Sequence, residues 1–314
     1  MTATGYLWDS GYLGHRTTAV HPERPERAEV LATHEMAGRL AGFFPHKPDI
    51  HLGMPWVRRT HDASYVSRVA EAFKAGSRSL DGGDTVVRED TYDVSLASAA
   101  GACTLARGIA TGELDNGFCA IRPPGHHAGP QNARGFCVFN NAAVATRYVQ
   151  HMHDLRRVLI IDWDVHPGDG TAAFFHEDSE VHVLSIHQEG LFPPSVGSIE
   201  QIGRGEGEGT IHNVPMPPKS RALDYYRAFE PALEAAAEAA QPDFVIISCG
   251  FDAHAADRVA DQMLREDAFI KLTHMVRKVA DHYAGGRLLS LLEGGYCVDV
   301  LPRCVEAHVS ALMM

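Results

Sequence analysis

The segment VLIIDWDVH, residues 158–166, joins a short aliphatic run to two carboxylates and an imidazole. The run shows no polar alternation, and such runs are typical of strands that are buried on both faces of a sheet. Four more runs of this kind occur along the chain, at residues 117–121, 181–186, 244–248 and 288–292. Together they predict a sheet whose strands are largely buried.

Helical patterns separate these runs. Apolar residues recur at helical spacing from Phe269 to Tyr283, and Gly285 lies where that helix would end. A second helix is predicted after Ser220, a residue type favoured at N-caps, whereas residues 193–219 are predicted to form a long loop. The alternation predicts an α/β fold with three layers, in which a mostly parallel central sheet lies between two layers of helices.

The composition is that of an ordinary globular chain, since 45% of the 314 residues are hydrophobic and 22% are charged. The sequence contains no internal repeat and no linker, which favours one domain over residues 1–314. The formal charge of −12 makes nucleic acid and anionic membrane surfaces poor partners, and it would favour a cationic substrate.

Targeting signals and the cysteine pattern indicate the compartment. The N-terminus does not resemble a signal peptide, and no apolar run approaches the about 18 residues that a membrane span needs. None of the six cysteines stands in a CxxC pair, so neither a thiolate zinc site nor a redox motif is indicated. We therefore expect a cytoplasmic protein in a reducing compartment, and the sequence leaves a homo-oligomer open.

Reactive residue types collect directly after four of the predicted strands. In chain order they are His126, His127, Asp162, Asp164, His166, Asp169, Asp252 and Tyr296. The carboxyl ends of parallel strands lie along one edge of a sheet, and ligands bind at that edge. The sequence therefore predicts one site that is built from four separate loops.

A metal ion is the first function that this grouping indicates. Asp164 and His166 are alternate residues, so in an extended segment their side chains point the same way. Asp252 is the candidate third ligand from a neighbouring strand end. Three protein ligands leave a coordination position open for water or substrate, as in catalytic sites. One imidazole with two carboxylates favours Zn²⁺, although Fe²⁺ or Co²⁺ would also fit.

The remaining polar residues predict acid–base chemistry beside that metal. Hydrolysis of an amide needs a base for the attacking water and an acid for the leaving amine, and His126 and His127 are the candidate pair. Asp162 and Asp169 are the carboxylates available to them. Tyr296, which follows two glycines, would direct a phenol toward a developing oxyanion.

Two other motifs suggest a function at first sight but do not match the pattern that the function requires. The alternating glycines of residues 203–209 do not open a helix with dinucleotide-binding spacing, so they predict a flexible loop. No GxSxG elbow surrounds Ser185 or Ser248, which argues against a serine hydrolase.

Taken together, these residues resemble the zinc-dependent histone deacetylase and acetylpolyamine amidohydrolase family, in its class II-like, bacterial type. The matching strings occur in family order and cover about residues 5–300. They are HPERPER at 21–27, a string ending in Asp84-Thr85, RPPGHHA at 122–128, GFC at 135–137, residues 162–171, GFDA at 250–253 and EGGY at 293–296.

The resemblance implies an arginase/deacetylase-like fold and a role for each site residue. The zinc ligands would be Asp164, His166 and Asp252. His126 and His127 would be the acid–base pair, backed by Asp162 and Asp169, and Tyr296 would polarise the amide carbonyl. Residues implied to contact substrate or product are Phe136 and Phe192 as walls of an acyl-lysine tunnel, Gly135 beside them, Asp84 at the rim and Arg27 near an internal product channel.

Monovalent cation sites are also implied by the resemblance, with K⁺ or Na⁺ as the ion. The first would use Asp162, Asp164, His166, Ser185 and Ile186, largely through carbonyl groups. The second would use Phe175, Asp178 and Val181.

The sequence departs from the family pattern at three positions near the site. Pro167 stands where many relatives have a second histidine, and Leu191 where an aromatic residue often precedes the tunnel phenylalanine. Val259 occupies the position of a gatekeeper glutamate in polyamine-selective relatives. A buried secondary ammonium needs an anionic or hydrogen-bonding partner. We therefore expect acyl-lysine or a related small amide as substrate, ahead of acetylpolyamine.

Two further interpretations remain open from the sequence. A two-metal ureohydrolase would share the fold, but it needs additional carboxylates where this chain has Asp252-Ala253-His254. A protein that binds acyl groups without turnover would not need the full set of catalytic residue types that is present here.

Overall fold

The computed structural model describes residues 2–314. Its strands are β1 (Thr4–Leu7), β2 (Phe44–His46), β3 (Asn116–Cys119), β4 (Val158–Asp162), β5 (Val181–Gln188), β6 (Ile211–Met216), β7 (Phe244–Cys249) and β8 (Leu288–Leu292). Its α-helices are α1 (Glu26–Glu29), α2 (Thr33–Ala37), α3 (Gly53–Thr60), α4 (Ala63–Ala72), α5 (Thr91–Ala110), α6 (Asn141–His153), α7 (Asp169–Phe175), α8 (Ala222–Ala240), α9 (Glu266–Tyr283) and α10 (Leu301–Met313).

The strands form one sheet in the order β2-β1-β3-β8-β7-β4-β5-β6. Each neighbouring pair of these strands is parallel, so the predicted parallel sheet is confirmed. All five strands predicted from apolar runs are present, with ends that differ by no more than a few residues. Two short strands, β1 and β2, extend the sheet beyond them on one side.

Alternate side chains of the central strands pack into two hydrophobic cores. On β4, Leu159 and Ile161 join the core closed by α8, α9 and α10, while Val158 and Ile160 join the core closed by α3, α4, α5 and α6. All four side chains are fully buried, which explains why the strand shows no polar alternation in sequence. Helices therefore cover both faces of the sheet, and the predicted three-layer architecture is confirmed.

The prediction of a loop throughout residues 193–219 is wrong, because β6 lies within it. This strand pairs with β5 from Ile211 opposite Val183 to Met216 opposite Gln188. β6 is the edge strand of the sheet. An edge strand tolerates Pro215 because one of its sides needs no backbone donors, and that proline and the flanking polar residues conceal the strand in the sequence.

Two helix predictions have different outcomes. The helix predicted from Phe269 to Tyr283 is α9, which ends just before a left-handed glycine, Gly285, with φ of +58°. The N-cap of α8 is Arg221, so the prediction that Ser220 caps this helix is wrong. The backbone N–H of Arg221 donates to the carboxylate of Asp224 at 2.9 Å, which supplies one of the capping contacts.

Within residues 2–314, the helices are too short or too polar to cross a membrane.

Candidate active site

The four strands that precede the reactive residues are consecutive neighbours in the sheet, in the order β3-β8-β7-β4. Because these strands are parallel, the loops after them meet at one edge. Asp162 is the last residue of β4, and Asp252 and Tyr296 lie in the loops that follow β7 and β8. The sheet order, which sequence spacing does not reveal, therefore brings all the candidate residues of the four loops into one cleft.

Asp164, His166 and Asp252 form a group that could hold a metal ion. One potential ligand atom from each lies within 4.8 Å of the others. His166 Nδ1 is 3.1 Å from Asp164 Oδ1 and 3.3 Å from Asp252 Oδ2. Both carboxylates are buried, and His166 is the more exposed member.

Backbone donors orient the two carboxylates of this group. Asp164 Oδ2 accepts from the N–H of Gly294 at 2.7 Å, and Asp252 Oδ1 accepts from the N–H of Val165 at 2.9 Å. Asp252 Oδ2 is buried without a hydrogen-bond partner. A carboxylate held by one oxygen, with its other oxygen facing an imidazole, is suited to ligate a metal through that free oxygen.

The electrostatics of the group favour a bound cation. Burial and the nearby charge of Asp164 raise the pKa of Asp252 to about 7. Burial opposes ionisation of Asp164 as well, but the imidazoles of His126 and His166 hold the pKa of that carboxyl well below its usual range. A divalent ion would offset the repulsion between the carboxylates and give Asp252 Oδ2 a partner. The donor set of one nitrogen and two carboxylates therefore fits zinc.

Gly294 has no room for a side chain beside these carboxylates. A Cβ atom at this position would lie 2.2 Å from Asp252 Oδ2 and 2.5 Å from Asp164 Oδ2. The turn after β8 therefore passes close enough to the candidate metal site for its backbone to contact the ligands directly.

The two adjacent histidines each contact a separate carboxylate. His126 Nδ1 is 3.0 Å from Asp162 Oδ2, and His127 Nδ1 is 2.6 Å from Asp169 Oδ1. Their ring centroids are 4.0 Å apart. With Nδ1 engaged in each ring, Nε2 is the nitrogen that remains for proton transfer, and His126 Nε2 lies 3.7 Å from Asp164 Oδ1.

The surroundings move the two histidine pKa values in opposite directions. Burial opposes the charge of His126, but Asp164 and Asp162 outweigh it and raise the pKa of His126 well above its ordinary value. Burial and the neighbouring charge of His126 lower the pKa of His127 to about 4. One imidazole is therefore biased toward the charged form and the other toward the neutral form, as an acid–base site requires.

Tyr296 follows a glycine with φ of +115°, and this turn places its ring against Phe136, with a centroid distance of 5.7 Å and an edge-to-face arrangement. Its backbone N–H donates to Asp257 Oδ2 at 2.6 Å. Burial raises the pKa of the Tyr296 phenol well above its ordinary value, so the hydroxyl keeps its proton and can donate a hydrogen bond.

Phe136, one of the two predicted tunnel walls, lies in a tight turn. Gly135 and Phe136 have φ values of +51° and +70°, and Arg134 and Cys137 exchange backbone hydrogen bonds across them. Phe192, the other predicted wall, lies in the loop after β5, and its ring centroid is 5.4 Å from that of His127. A Cβ atom at Gly135 would lie 2.5 Å from His127 Cδ2, so the space between the walls and the histidine is narrow.

The two remaining candidate substrate contacts occupy different environments. The side chain of Asp84 is exposed, and its backbone carbonyl accepts from His21 Nε2 at 3.0 Å. Arg27 is buried, and its guanidinium donates to the carbonyls of Gly295 and Glu293 within the turn that carries Tyr296.

The residues predicted to hold monovalent cations form two groups, the first at the end of β4 and in the second half of β5, the second between the end of α7 and the start of β5. Ser185 is the register partner of Asp162, and Ile186 follows it on β5. In the second group, Phe175 ends α7 and Val181 begins β5, while the side chain of Asp178 pairs with Arg147 at 2.8 Å. Asp178 could therefore contribute to a cation site through its carbonyl more readily than through its carboxylate.

Sequence reasoning missed two residues that support the site. Asp257 holds the backbone of Tyr296, and Arg134 Nη1 donates to Asp169 Oδ2 at 2.9 Å. Both lie near predicted residues in the sequence, but their contacts come from other loops. The only signal for either was a charged residue type close to a predicted site.

Comparisons with known proteins show what the chain is similar to. The histone deacetylase domain family matches residues 21–312. The chain is 38% identical over 254 residues to the histone deacetylase-like amidohydrolase of Pseudomonas aeruginosa, covering 81% of this chain and 67% of that protein. It is 40% identical over 263 residues to the chloroplastic histone deacetylase 10 of Oryza sativa, covering 81% of this chain but 59% of the relative.

Solved structures show the same fold. The crystal structure of an acetylpolyamine aminohydrolase from Burkholderia pseudomallei superposes with a TM-score of 0.87 at 26% identity. The superposition covers 99% of this chain and 98% of that one. The arginase/deacetylase-like architecture predicted for the chain is therefore shown.

Proposed function

The chain belongs to the histone deacetylase family of amide hydrolases, and from this premise we propose that it removes acetyl or another short acyl group from lysine side chains or related small amines, with one zinc ion. The observation that carries the proposal is the grouping of Asp164, His166 and Asp252, with the ring of His127 5.8 Å from that of His166. The two predicted tunnel walls contact reactive residues, since the ring of Phe192 packs against His127 and that of Phe136 against Tyr296.

Asp164, His166 and Asp252 would hold the zinc ion through the atoms that already face one another. When bound there, zinc supplies Lewis-acid polarisation of the acyl carbonyl and lowers the pKa of water. The buried, partnerless Oδ2 of Asp252 supports this assignment.

His127 is suited to take the proton that the attacking water loses. Its Nδ1 is held by Asp169, and its low pKa keeps the imidazole neutral and able to accept at Nε2. The same proton then passes from Nε2 to the leaving amine nitrogen as the carbon–nitrogen bond breaks. His126, whose Nδ1 is held by Asp162 at 3.0 Å, would complete the acid–base pair.

Tyr296 would donate a hydrogen bond from its phenol to the acyl oxygen as negative charge develops there. The contact of its ring with Phe136 and the bond from its backbone to Asp257 restrict the orientation of the phenol. Such preorganisation lets the donor act without reorganising during the reaction.

The walls support an acyl group on a slim chain. The ring of Phe192 lies 5.4 Å from that of His127, and a Cβ atom at Gly135 would lie 2.5 Å from His127 and 3.0 Å from Phe192, so little space remains between these residues. Val259 packs against the hydrophobic core, so no carboxylate stands at this position to pair with a buried ammonium. These features favour acyl-lysine or a related small amide over acetylpolyamine.

Acetylpolyamine remains the second candidate substrate, because the Burkholderia pseudomallei neighbour is named an acetylpolyamine aminohydrolase. We also propose a structural K⁺ or Na⁺ ion beside Asp162, Ser185 and Ile186. The pairing of β4 with β5 supports this second proposal, since it places these residues next to one another.

The decisive experiment compares kcat/KM of the zinc-loaded protein for an acetyl-lysine peptide, N-acetylputrescine and N⁸-acetylspermidine. Asp252→Ala, purified in parallel, controls for contaminating hydrolases. We expect the acetyl-lysine peptide to be preferred. A preference of about a hundredfold for either acetylated polyamine, about 2.7 kcal/mol, would mean that acetylpolyamine is the substrate instead. The absence of turnover with all three would contradict the proposed function.

A further inference from the structure

Arg134 contacts two parts of the site at once, the carboxylate of Asp169 and the ring of Phe192. We propose that it is a positioning residue that fixes Asp169, and through it His127, while tethering the tunnel wall at Phe192. This inference rests on the proposed function, which supplies the roles of His127 and Phe192. It adds a residue that the acid–base and metal groups do not include.

The contacts of Arg134 run in two directions. Its Nη1 donates to Asp169 Oδ2 at 2.9 Å, while the other oxygen of Asp169 is 2.6 Å from His127 Nδ1. The guanidinium carbon lies 5.3 Å from the centroid of the Phe192 ring, in cation–π geometry. Phe192 in turn contacts the ring of His127 edge-to-face at 5.4 Å. Each of these four side chains therefore contacts two of the others.

The turn after Arg134 explains why the residue is held in place. Its N–H donates to the carbonyl of Cys137 at 3.1 Å, and the N–H of Cys137 donates back at 2.8 Å. The two residues between them, Gly135 and Phe136, both have positive φ, as the paired left-handed positions of a tight two-residue turn require. The same turn thus presents Phe136 on one wall and directs Arg134 toward Phe192 on the other.

Asp169 needs both partners to keep one orientation. Its side chain is 10% exposed, so an oxygen without a partner would be costly there, and the carboxylate would rotate toward other donors. The Arg134 side chain is 39% exposed, which makes the pair a modest source of stability. Its main effect is therefore geometric: it holds the carboxylate that holds His127.

Phe192 depends on these contacts because, unlike Asp169, it is largely exposed. Its side chain is 42% exposed, and burial alone does not fix it. Contacts with the Arg134 guanidinium and the His127 ring are what hold the ring at the wall. Loss of Arg134 should therefore increase the mobility of Phe192 as well as that of Asp169 and His127.

The test uses Arg134→Met, which removes the guanidinium and keeps a long apolar chain, and Arg134→Lys, which keeps the charge without the planar fork. Arg59→Met is the matched control, because Arg59 lies 5.4 Å from an aromatic centroid, that of Trp56, outside the site. With an acetyl-lysine peptide we expect Arg134→Met to lower kcat about tenfold, the effect of losing one aligned hydrogen bond, and to raise KM. Arg134→Lys should recover part of both, and Arg59→Met should change neither.

A double substitution separates positioning from a general structural effect. If Arg134 acts on kcat through Asp169, Arg134→Met should lower kcat little further in an Asp169→Asn background, because the link is already broken. The rise in KM should persist there, since it arises at Phe192. Full additivity of the two kcat effects would overturn the assignment.

Hydrogen–deuterium exchange tests the tether without any turnover. Residues 189–204, the loop that carries Phe192, should exchange faster in Arg134→Met than in the wild type, with no such change in Arg59→Met. If the wild type hydrolyses no acyl amide, the proposed function fails, but this comparison still decides the role of Arg134. Equal exchange in the two variants would contradict the inference even if the enzyme is active.

Discussion

Asp257 Oδ2 accepts the backbone N–H of Tyr296 at 2.6 Å and that of Cys297 at 3.0 Å. The carboxylate comes from the loop after β7, which also carries Asp252, and it holds the turn after β8, which carries the phenol. One loop thus contributes a candidate metal ligand and fixes the backbone of the residue proposed to stabilise the oxyanion.

Asp257→Ala should therefore lower kcat by more than it raises KM, because it leaves the Tyr296 backbone without its acceptor while the walls stay in place. A loss of about tenfold corresponds to one hydrogen bond to a charged group. Steady-state kinetics with an acetyl-lysine peptide provide the measurement. Asp261→Asn, a nearby exposed carboxylate, is the control. A kcat equal to that of this control would mean that Asp257 does not position the phenol.

Tyr296→Phe should retain metal and lose turnover. Removing one oxyanion donor costs about 10²–10³-fold in rate, and the phenyl ring can keep the edge-to-face contact with Phe136. Zinc content and kcat should be measured on the same preparation. A variant that keeps kcat within about twofold of the wild type, under 0.5 kcal/mol, would show that the hydroxyl has no chemical role.

Gly135→Ala should abolish most activity, since the new methyl group would lie 2.5 Å from His127 Cδ2 and 3.0 Å from Phe192 Cε1. Gly112→Ala is the control for backbone strain: Gly112 has φ of +76°, but a Cβ atom there has open space. The left-handed conformation should cost each variant about 1 kcal/mol of stability, and the overlap with His127 adds to that loss in Gly135→Ala. Only Gly135→Ala should lose activity, by about a hundredfold or more. Similar activities for the two variants would contradict the close approach at the wall.

His308 predicts a pH dependence of stability that is separate from the active site. Burial lowers its pKa to about 3, and its ring lies between the hydroxyls of Thr273 and Ser290 at 2.6 Å and 2.8 Å. An unfolded histidine has a pKa of about 6.5. Between these values the unfolded chain binds the extra proton, so stability is fully present above about pH 6.5 and falls as the pH is lowered toward 3.

Replacing His308 by Gln should weaken this pH dependence while lowering stability at pH 8. Denaturant unfolding of chelator-treated protein between pH 8 and pH 5 measures both effects. The free energy of unfolding of the wild type should fall more steeply, by up to about 1.4 kcal/mol per pH unit from this residue. Parallel curves for the two proteins would show that His308 does not titrate on unfolding.

The sequence was sufficient to predict much of the fold, because its buried strands are short aliphatic runs. Five strands and the three layers follow from that pattern. The strands β1, β2 and β6 could not be predicted, since they are short or carry polar residues, and β6 contains Pro215. These strands form because they pair with neighbouring strands, and such tertiary contacts are not visible in the spacing of apolar residues along the chain.

The chemical residues of the site were also visible in sequence, because each follows a predicted strand. Their mutual geometry was not, since it depends on the order β3-β8-β7-β4. Supporting residues such as Asp257 and Arg134 were hidden for the same reason: each acts on a partner from a different loop. Spacing along the chain carries no information on such contacts.

The central claim is that amide hydrolysis requires one zinc ion held by Asp164, His166 and Asp252. The most direct measurement is a zinc titration of chelator-stripped protein, following turnover of an acetyl-lysine peptide and bound zinc together. The account predicts no activity in the stripped protein, and full recovery as bound zinc reaches one ion per chain. It also predicts neither tight zinc binding nor recovery in Asp252→Ala. Full activity after complete removal of metal, or recovery in Asp252→Ala equal to that of the wild type, would contradict the claim.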